Sequence, residues 1–438
     1  MSKASTSARA VARRFERYAN ALAPALQHAD RVEPFEAYCT GLILPGERKS
    51  VEPMASRIAP RAVRAKHQSM HHFVSTSPWS ADRLLRQVAN LVVPEMERQA
   101  PISAWIIDDT GIPKKGKHSV GVAHQYCGQL GKQANCQVAV TLSVANAAAS
   151  LPIAHRLYLP EEWATDRERR ASVGVPEDVR FKTKPEIALE QIRAAIAQGI
   201  PRSTVLADAA YGNNTAFRDG LTTLNLRYAL AIQSNTCVWR PGEKPLAPKR
   251  RTSHLGRPPS ALRRTISHHP VSVLELAREL PANAYRTIQW REGTNDVLRS
   301  RFAAVRVRPS HERRPQSILP QEEWLVIEWP KDEANPTKYW FSTLDKNTSL
   351  QTLVATIMQR WRIERDYQEL KSELGLTHYE GRSWLGFHHH AALCVAAYGF
   401  LLLEQGAFSP SKHRVELPQS SLPDDFKPRG SASTHGQA

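Results

Sequence analysis

The pattern of apolar and polar residues predicts helices at the start of the chain. In the first hundred residues, apolar positions recur every three or four residues, which is the spacing of amphipathic helices. The helices predicted from this spacing cover residues 9–26, residues 62–74 and a stretch after Ser80, a residue type that favours helix N-termini. Arginines surround the apolar positions. We therefore expect residues 1–100 to form a basic helical region, which either binds DNA or packs against the rest of the chain.

Residues 101–235 have a different pattern, in which short apolar runs end at acidic or turn residues. Strands are predicted at residues 104–109, 137–144, 152–159, 204–208 and 227–232. A helix at residues 185–198 begins with Pro and ends before Gly, as helix termini prefer. This order of elements predicts an α/β protein with the mixed sheet of the ribonuclease H-like fold, in which the first and fourth strands are neighbours.

Carboxylates stand at the ends of two of these apolar strands. Asp108 and Asp109 follow the first strand, and Asp208 follows the fourth. A single Asp at a strand end is usually a turn residue. Two such ends in neighbouring strands, however, favour a site for divalent cations, which prefer hard oxygen ligands. Strand alternation leaves Asp108 and Asp109 both open as the ligand; the Asp-x-Thr spacing to Thr110 favours Asp108 only through the family resemblance given below.

A third carboxylate lies in the stretch of residues 360–371, which contains no Gly or Pro and is predicted to be helical. At about 100° per residue, one face of this helix carries four polar side chains, Arg360, Glu364, Tyr367 and Lys371. An adjoining apolar stripe is formed by Ile363, Leu370 and Leu374. Two interpretations remain: a solvated ladder of ion pairs, or a metal-binding carboxylate between cations that hold phosphates.

The segment between the core strands and this helix, residues 236–345, is predicted to be a mostly β insertion. Its strands are expected at residues 285–290, 297–307, 324–329 and 338–341. A basic loop precedes them and contains Arg250, Arg251 and Arg257, which we interpret as DNA contacts rather than as a merely solvated loop. Residues 346–405 complete the core with the Glu364 helix and a buried helix. Residues 406–438, rich in Pro, Ser and charge, are predicted to be disordered.

Net charge, apolar runs and cysteine content limit the classes of partner and the compartment that we expect for this protein. The net charge of +17 indicates a polyanionic partner. The longest apolar run, residues 391–403, is too short to span a bilayer, so no membrane partner is expected. Five scattered cysteines without a Cys-x-x-Cys pair fit a reducing cytoplasm. We therefore predict a cytoplasmic, nucleoid-associated protein that binds DNA.

One motif is misleading. Residues 111–117 satisfy Gly-x-x-x-x-Gly-Lys after a strand, as in a nucleotide-binding phosphate loop. Position 118 is His, however, and the Val- and Gly-rich residues that follow predict extended chain rather than the required helix. We interpret Lys114, Lys115 and Lys117 instead as contacts to DNA phosphates.

The residues around Glu364 resemble bacterial insertion-sequence transposases of the DDE superfamily, in the branch with a Tyr-x2-Arg-x3-Glu-x6-Lys motif. Arg360, Glu364 and Lys371 match this motif, whereas Ile357 stands at the Tyr position. Asp108, and Asp208 in Leu-Ala-Asp-Ala-Ala-Tyr-Gly, match the first two acids of the family. The similarity covers most of residues 35–405.

This resemblance implies an enzyme that cuts double-stranded DNA at the ends of an element and joins it to target DNA. It implies two Mg²⁺ ions, replaceable by Mn²⁺, as cofactors bound by Asp108, Asp208 and Glu364. Arg360 and Lys371 would hold phosphates, and a homodimer would assemble the two ends. Two alternatives are a non-catalytic DNA-binding relic and a metal-dependent DNA endonuclease without strand transfer.

Overall fold

The computed structural model describes residues 3–249, 260–292, 297–310 and 319–408. The chain divides into two compact units. The first unit comprises residues 1–102, 109–183 and 363–438, and the second comprises residues 103–108 and 184–362. The predicted DNA contacts Arg250, Arg251 and Arg257, and most of the predicted tail, lie outside the described residues.

Helices occupy most of the first hundred residues and recur between and after the strands. In chain order they are α1 (Lys3–Leu26), α2 (Val32–Ile43), α3 (Val51–Ile58), α4 (Val63–Ser75), α5 (Ala81–Gln99), α6 (Glu161–Thr165), α7 (Arg167–Ser172), α8 (Lys184–Ala197), α9 (Ala209–Gly212), α10 (Thr215–Thr223), α11 (Val273–Glu279), α12 (Leu350–Met358), α13 (Arg362–Gln368) and α14 (Trp384–Phe408).

The strands are β1 (Ala104–Pro113), β2 (Ala123–Cys127), β3 (Lys132–Ala145), β4 (Ser150–Leu157), β5 (Thr204–Ala207), β6 (Tyr228–Ile232), β7 (Cys237–Trp239), β8 (Val271–Ser272), β9 (Arg286–Glu292), β10 (Val297–Pro309), β11 (Glu323–Glu328) and β12 (Lys338–Ser342).

The first unit is built around α14, against which α1, α2, α4, α5 and β4 pack. Tyr18 of α1 donates a hydrogen bond to the Ala396 carbonyl at 2.9 Å, and Arg14 forms a 2.7 Å ion pair with Glu404. By length and composition α14 is apolar enough to cross a membrane, but 83% of its apolar window is buried inside the protein. The prediction of a buried core helix is confirmed.

Three consecutive histidines of α14 are part of this core. His389 contacts the carbonyl oxygens of Val74 and Trp79 at 3.1 and 2.8 Å, whereas His390 lies 2.9 Å from the Tyr38 hydroxyl. Burial lowers the pKa of His389 and of His390 to about 4. Because these rings point to different partners, they bind the helix to its neighbours and do not converge on one ion.

The strand order supports the predicted fold. In the first unit β3 pairs antiparallel with β2 and β4, and the second half of β1 lies beside β3. In the second unit the first half of β1 pairs in parallel with β5, which pairs in parallel with β6. The order β4-β3-β1-β5-β6 is that of the ribonuclease H-like fold, with the first and fourth core strands adjacent.

The β insertion continues the sheet of the second unit. Its strand β12 pairs antiparallel with β6, β11 pairs with β12, and β10 pairs with β11, β9 and β7. The four strands predicted in the insertion are present, and β7, β8 and α11 are additional. The insertion therefore grows from the edge of the core sheet.

Two local predictions were wrong, and two helices of the predicted helical region were not located. The first strand does not end at its two acids, because β1 continues to Pro113 and this second half lies beside β3. Helices α2 and α3 were not predicted, since Pro34 and Gly41 interrupt the pattern of α2 and Pro53 that of α3. Residues 359–373 are not one regular α-helix: a 3₁₀ turn precedes α13 and a π-helical turn follows it.

Candidate active site

In the second unit, Asp108 lies in β1 and Asp208 directly follows the neighbouring strand β5. The parallel register of β1 and β5 places Ile106 opposite Leu206, and Asp108 and Asp208 each stand two residues beyond this pair. Residues two apart on a strand share a face, and adjacent strands lie about 4.8 Å apart. The two carboxylates therefore belong to the same face of the sheet, whereas Asp109 belongs to the opposite face.

Asp208 is oriented by the short helix that follows it. Its carboxylate caps α9 and accepts a hydrogen bond from the Ala210 amide at 3.0 Å. The last residue of α9, Gly212, lies so close to β6 that a Cβ atom there would overlap the Ala231 carbonyl oxygen. Close packing of α9 on the sheet thus requires glycine and fixes the chain just after Asp208.

Asp108 is held by an arginine. The Arg360 Nη2 atom lies 3.1 Å from Asp108 Oδ1, and the side chains are only 26% and 16% exposed. Arg360 belongs to the 3₁₀ turn of residues 359–361, and in that turn Gln359 accepts a 2.7 Å hydrogen bond from the Ser103 hydroxyl. The turn is therefore bonded to β1 through Asp108 and to Ser103, the residue just before β1, and Arg360 contacts a carboxylate of its own chain.

Glu364 belongs to the first unit and lies in the first turn of α13, with an exposed side chain. A carboxylate near a helix N-terminus interacts favourably with the helix dipole. The predicted apolar stripe is confirmed, because Ile363, Leu370 and Leu374 are all buried. Burial of this stripe fixes the rotation of α13 and leaves Glu364 facing outwards.

Tyr367 and Lys371, the other polar residues of the predicted helix face, are less exposed than that prediction implies. The Tyr367 ring is buried, and its hydroxyl hydrogen-bonds to the hydroxyl of Thr141 on β3. Lys371 lies in the π-helical turn with its ammonium 5.7 Å from the Tyr367 ring centroid. Tyr367 is therefore a structural residue and not a surface phosphate contact. Ile357, at the motif Tyr position, is buried in α12.

The three predicted lysine contacts differ in their surroundings. Lys114 Nζ donates a 2.7 Å hydrogen bond to the Tyr379 carbonyl, and burial lowers the pKa of this lysine. Lys115 and Lys117 are exposed. Past Lys117 the chain enters a turn and then β2, with no helix, so the rejection of a nucleotide-binding phosphate loop is confirmed.

The chemistry of Asp108 and Asp208 fits a divalent cation. Carboxylate oxygens are the hard ligands that Mg²⁺ prefers, and matching positions on adjacent strands present two of them on one face. Among the residues that the structure describes, no three His, Cys, Asp or Glu side chains lie close enough together to hold a metal ion. The second unit thus provides two candidate ligands, Asp108 and Asp208, and an arginine that contacts one of them.

The sequence profile of a family described as DDE superfamily endonuclease matches residues 21–297, more than half of the chain. The chain belongs to this family. It is 33% identical over 207 residues to the probable transposase for insertion sequence element IS701 of Microchaete diplosiphon. The match covers 47% of this chain and 50% of that protein, so the chain spans about half the length of this relative.

Among solved structures, the chain is similar to the piggyBac transposase in a synaptic complex with hairpin DNA. The alignment has 10% sequence identity and a TM-score of 0.39, and it covers 93% of this chain and 78% of the other. At this level the likeness carries no argument about this chain.

For this DDE family member, sequence reasoning missed the residues that position the site. Ser103 and Gln359 bond the 3₁₀ turn to β1, and Arg360 contacts Asp108 across a separation of 252 residues. In the sequence, Ser103 is distinguished only as a hydroxyl-bearing residue directly before an apolar strand. The Asp108–Arg360 pair has no local signal, because the fold alone brings these residues together.

Proposed function

We propose that the protein is a DNA transposase, which cuts an insertion element at its ends and joins the element to target DNA. The observation that carries this proposal is that Asp108 and Asp208 each stand two residues beyond the last pair of the adjacent parallel strands β1 and β5 in a DDE superfamily endonuclease. The probable transposase of the IS701 element, to which part of the chain is similar, supports the same activity.

In this proposal Asp108, Asp208 and Glu364 are the ligands of two Mg²⁺ ions, which Mn²⁺ can replace. When bound, such ions lower the pKa of the attacking water and stabilise charge on the leaving oxygen of the phosphodiester. The protein's contribution is to fix its carboxylates before DNA arrives. The α9 cap orients Asp208, and the doubly bonded 3₁₀ turn orients Asp108 through Arg360.

Arginine and lysine side chains of the protein bind the negatively charged DNA phosphates in this proposal. Arg360 exchanges its contact with Asp108 for one with a DNA phosphate, for which a guanidinium is well shaped. Lys371 holds a second phosphate. Lys115 and Lys117, both exposed, extend the binding surface, and the loop residues Arg250, Arg251 and Arg257 add further contacts. Lys114 acts through its hydrogen bond to Tyr379, which holds the neighbouring turn in place.

Partners and location follow from the same proposal. The partners are double-stranded DNA at the element ends and at the target, and a second copy of the chain in a homodimer that holds both ends. The net charge of +17 favours association with DNA in the cytoplasm, on the nucleoid.

The test incubates the purified protein with Mg²⁺ and duplex DNA that carries the terminal repeats of its own element. We expect the wild type to nick these ends and to join them to a second duplex. We expect Asp208→Asn and Glu364→Gln to bind the same DNA without cutting it. Cleavage without joined products would select a plain endonuclease. Binding without cleavage in Mg²⁺ or Mn²⁺ would select a DNA-binding relic.

A further inference from the structure

A single isoleucine protrudes from the second unit. Ile266 is 98% exposed, the highest value among the exposed large hydrophobic side chains of the described residues. It occupies a two-residue turn between Thr265 and His268, whose backbones exchange hydrogen bonds of 2.9 and 3.2 Å. A fully exposed aliphatic side chain does not gain the favourable free energy that burial would provide.

The turn itself gives no reason for an isoleucine at this position. Tight turns select Gly, Asn, Asp, Pro or Ser, which supply a positive φ, a fixed φ or a local side-chain hydrogen bond. A β-branched aliphatic residue supplies none of these and prefers the half-buried surface of a strand. Since neither turn geometry nor core packing uses the Ile266 side chain, an external contact is the remaining use for it.

The base of this hairpin is well anchored. Arg263 and Leu246 exchange two backbone hydrogen bonds of 2.8 Å, and Arg263 Nε donates to the Ala247 carbonyl at 2.8 Å. His268 Nε2 lies 2.8 Å from the Lys244 carbonyl oxygen, and its ring centroid lies 4.9 Å from that of Trp239 on β7. The hairpin is therefore fixed to the β insertion and presents its tip in a defined orientation.

Two exposed basic residues flank the tip. Arg264 lies two residues before Ile266, and Lys244 is the residue whose carbonyl oxygen His268 contacts. An aliphatic tip among cations is suited to a polyanion with an apolar interior, which describes the stacked bases of a DNA duplex between two rows of phosphates. A second copy of this chain fits less well, because each copy carries a net charge of +17.

We propose that the hairpin of residues 263–268 enters the minor groove of bound DNA and inserts Ile266 between two base pairs. Aliphatic wedges flanked by Arg or Lys unstack a base step in this way and bend the duplex towards the major groove. Arg264 would contact the phosphates beside the opened step, and the anchored base of the hairpin would resist the recoil of the DNA. This inference rests on the proposed function, because it requires a DNA partner.

The experiment uses the full chain and duplexes that carry the element ends, with 2-aminopurine placed at successive positions and a fluorophore pair at the two duplex ends. Wild-type protein should raise 2-aminopurine fluorescence at one step and shorten the end-to-end distance. Ile266→Ala should abolish both signals and weaken binding about tenfold, the affinity expected from one buried aliphatic side chain. Ile266→Leu should retain both signals.

Leu298→Ala is the matched control, because Leu298 is an exposed aliphatic residue of the same unit, 39% exposed on β10. It should bind and bend DNA like the wild type. If the wild type binds the ends and Ile266→Ala leaves unstacking and bending unchanged, the wedge is refuted and the proposed function stands. If Ile266→Ala instead changes only the sedimentation mass, the tip contacts a second copy and the wedge is equally refuted. If the wild type does not bind DNA, both proposals fail.

Discussion

At the scale of single residues, Asp108 and Asp109 are neighbouring carboxylates on opposite faces of β1. Asp108 shares the face of Asp208 and forms an ion pair with Arg360. We expect Asp108→Asn to lower the rate of end cleavage by at least about 100-fold, as loss of a metal ligand should exceed the effect of losing one of its supporting contacts. Asp109→Asn should remain within a few-fold of the wild type.

The measurement is single-turnover nicking of a labelled end duplex, with DNA binding measured in parallel. Equal binding by both variants is the control, because it separates chemistry from recognition. A large loss of cleavage in Asp109→Asn with little change in Asp108→Asn would reverse the assignment and contradict the register argument.

If Asp108 is a metal ligand as proposed, Arg360 and the divalent cation compete for the same carboxylate. Removal of the arginine with Arg360→Met should lower stability without metal by about 1–3 kcal/mol, because a partly buried charged hydrogen bond is lost. The same variant should gain more thermal stability from Mg²⁺ than the wild type does, since its Asp108 binds the ion without displacing a guanidinium. Thermal unfolding with and without Mg²⁺ measures both effects.

Asp208→Asn is the matched control for this comparison, because loss of a proposed ligand should reduce the response to Mg²⁺. An identical Mg²⁺ response in Arg360→Met and wild type would mean that Asp108 and Arg360 do not exchange partners on metal binding.

At the scale of elements, the short helix α9 determines how Asp208 is presented. Gly212→Ala would drive a Cβ atom into the Ala231 carbonyl oxygen of β6. We expect a loss of at least about 1–3 kcal/mol in stability, the range for overpacking, together with reduced cleavage. Gly128→Ala is the control, since no atom lies near its added Cβ. Thermal unfolding compares the two, and an unchanged melting temperature in Gly212→Ala would contradict the close packing.

Elements with a strong period were predictable from the sequence. The core strands and the helices α1, α5 and α8 have regular apolar spacing, and α14 is a long run of mostly apolar residues, so local pattern and burial agree. β1 was predicted too short, because its second half passes through two acids whose strand conformation depends on pairing with β3. The 3₁₀ and π turns on either side of α13 were missed, since their sequence consists of good helix formers and tertiary contacts decide their geometry.

The site was predictable only in part for the same reason. Acids after apolar runs are a local signal, and the fold places Asp108 within β1 and Asp208 just after the adjacent strand β5. The contact of Arg360 with Asp108 and the internal hydrogen bond of Lys114 depend on residues distant in sequence. A charge pattern identifies cations but does not distinguish those that bind their own chain from those that face a partner.

At the scale of the whole molecule, buried histidines make the first unit sensitive to acid. Burial lowers the pKa of His155 to about 3 and of His389 and His390 to about 4, against 6.5 for an exposed imidazole. The unfolded chain therefore binds more protons below pH 6.5 than the folded chain does. The stability contributed by these residues is fully present above about pH 6.5 and falls as the pH decreases towards 4.

His155→Phe tests this prediction. Neither ring nitrogen of His155 has a hydrogen-bond partner among the described residues, and its ring centroid lies 5.6 Å from that of Phe387. A phenyl ring should therefore be tolerated, and one fewer proton should be taken up on unfolding. The range from about pH 7 to pH 5 brackets the ordinary histidine titration. Over this range we expect the melting temperature of the variant to fall less than that of the wild type. An equal loss in both proteins would exclude His155 as a source of acid sensitivity.

In the proposed function, the net charge of +17 makes DNA affinity dependent on salt, and we expect Lys115 and Lys117 to account for part of that dependence. Lys115 and Lys117 are exposed, whereas the Lys114 ammonium is hydrogen-bonded to the Tyr379 carbonyl. Each phosphate contact contributes about 0.9 to the slope of log affinity against log salt. Lys115→Ala and Lys117→Ala should therefore each reduce the slope by about that amount.

Lys114→Met is the control, because it keeps the aliphatic part of the side chain. It should leave the slope unchanged but lower the melting temperature, because it removes a hydrogen bond that stabilises the fold. Fluorescence anisotropy titrations over a series of salt concentrations measure the slope, and the reverse pattern would place the Lys114 ammonium on the DNA.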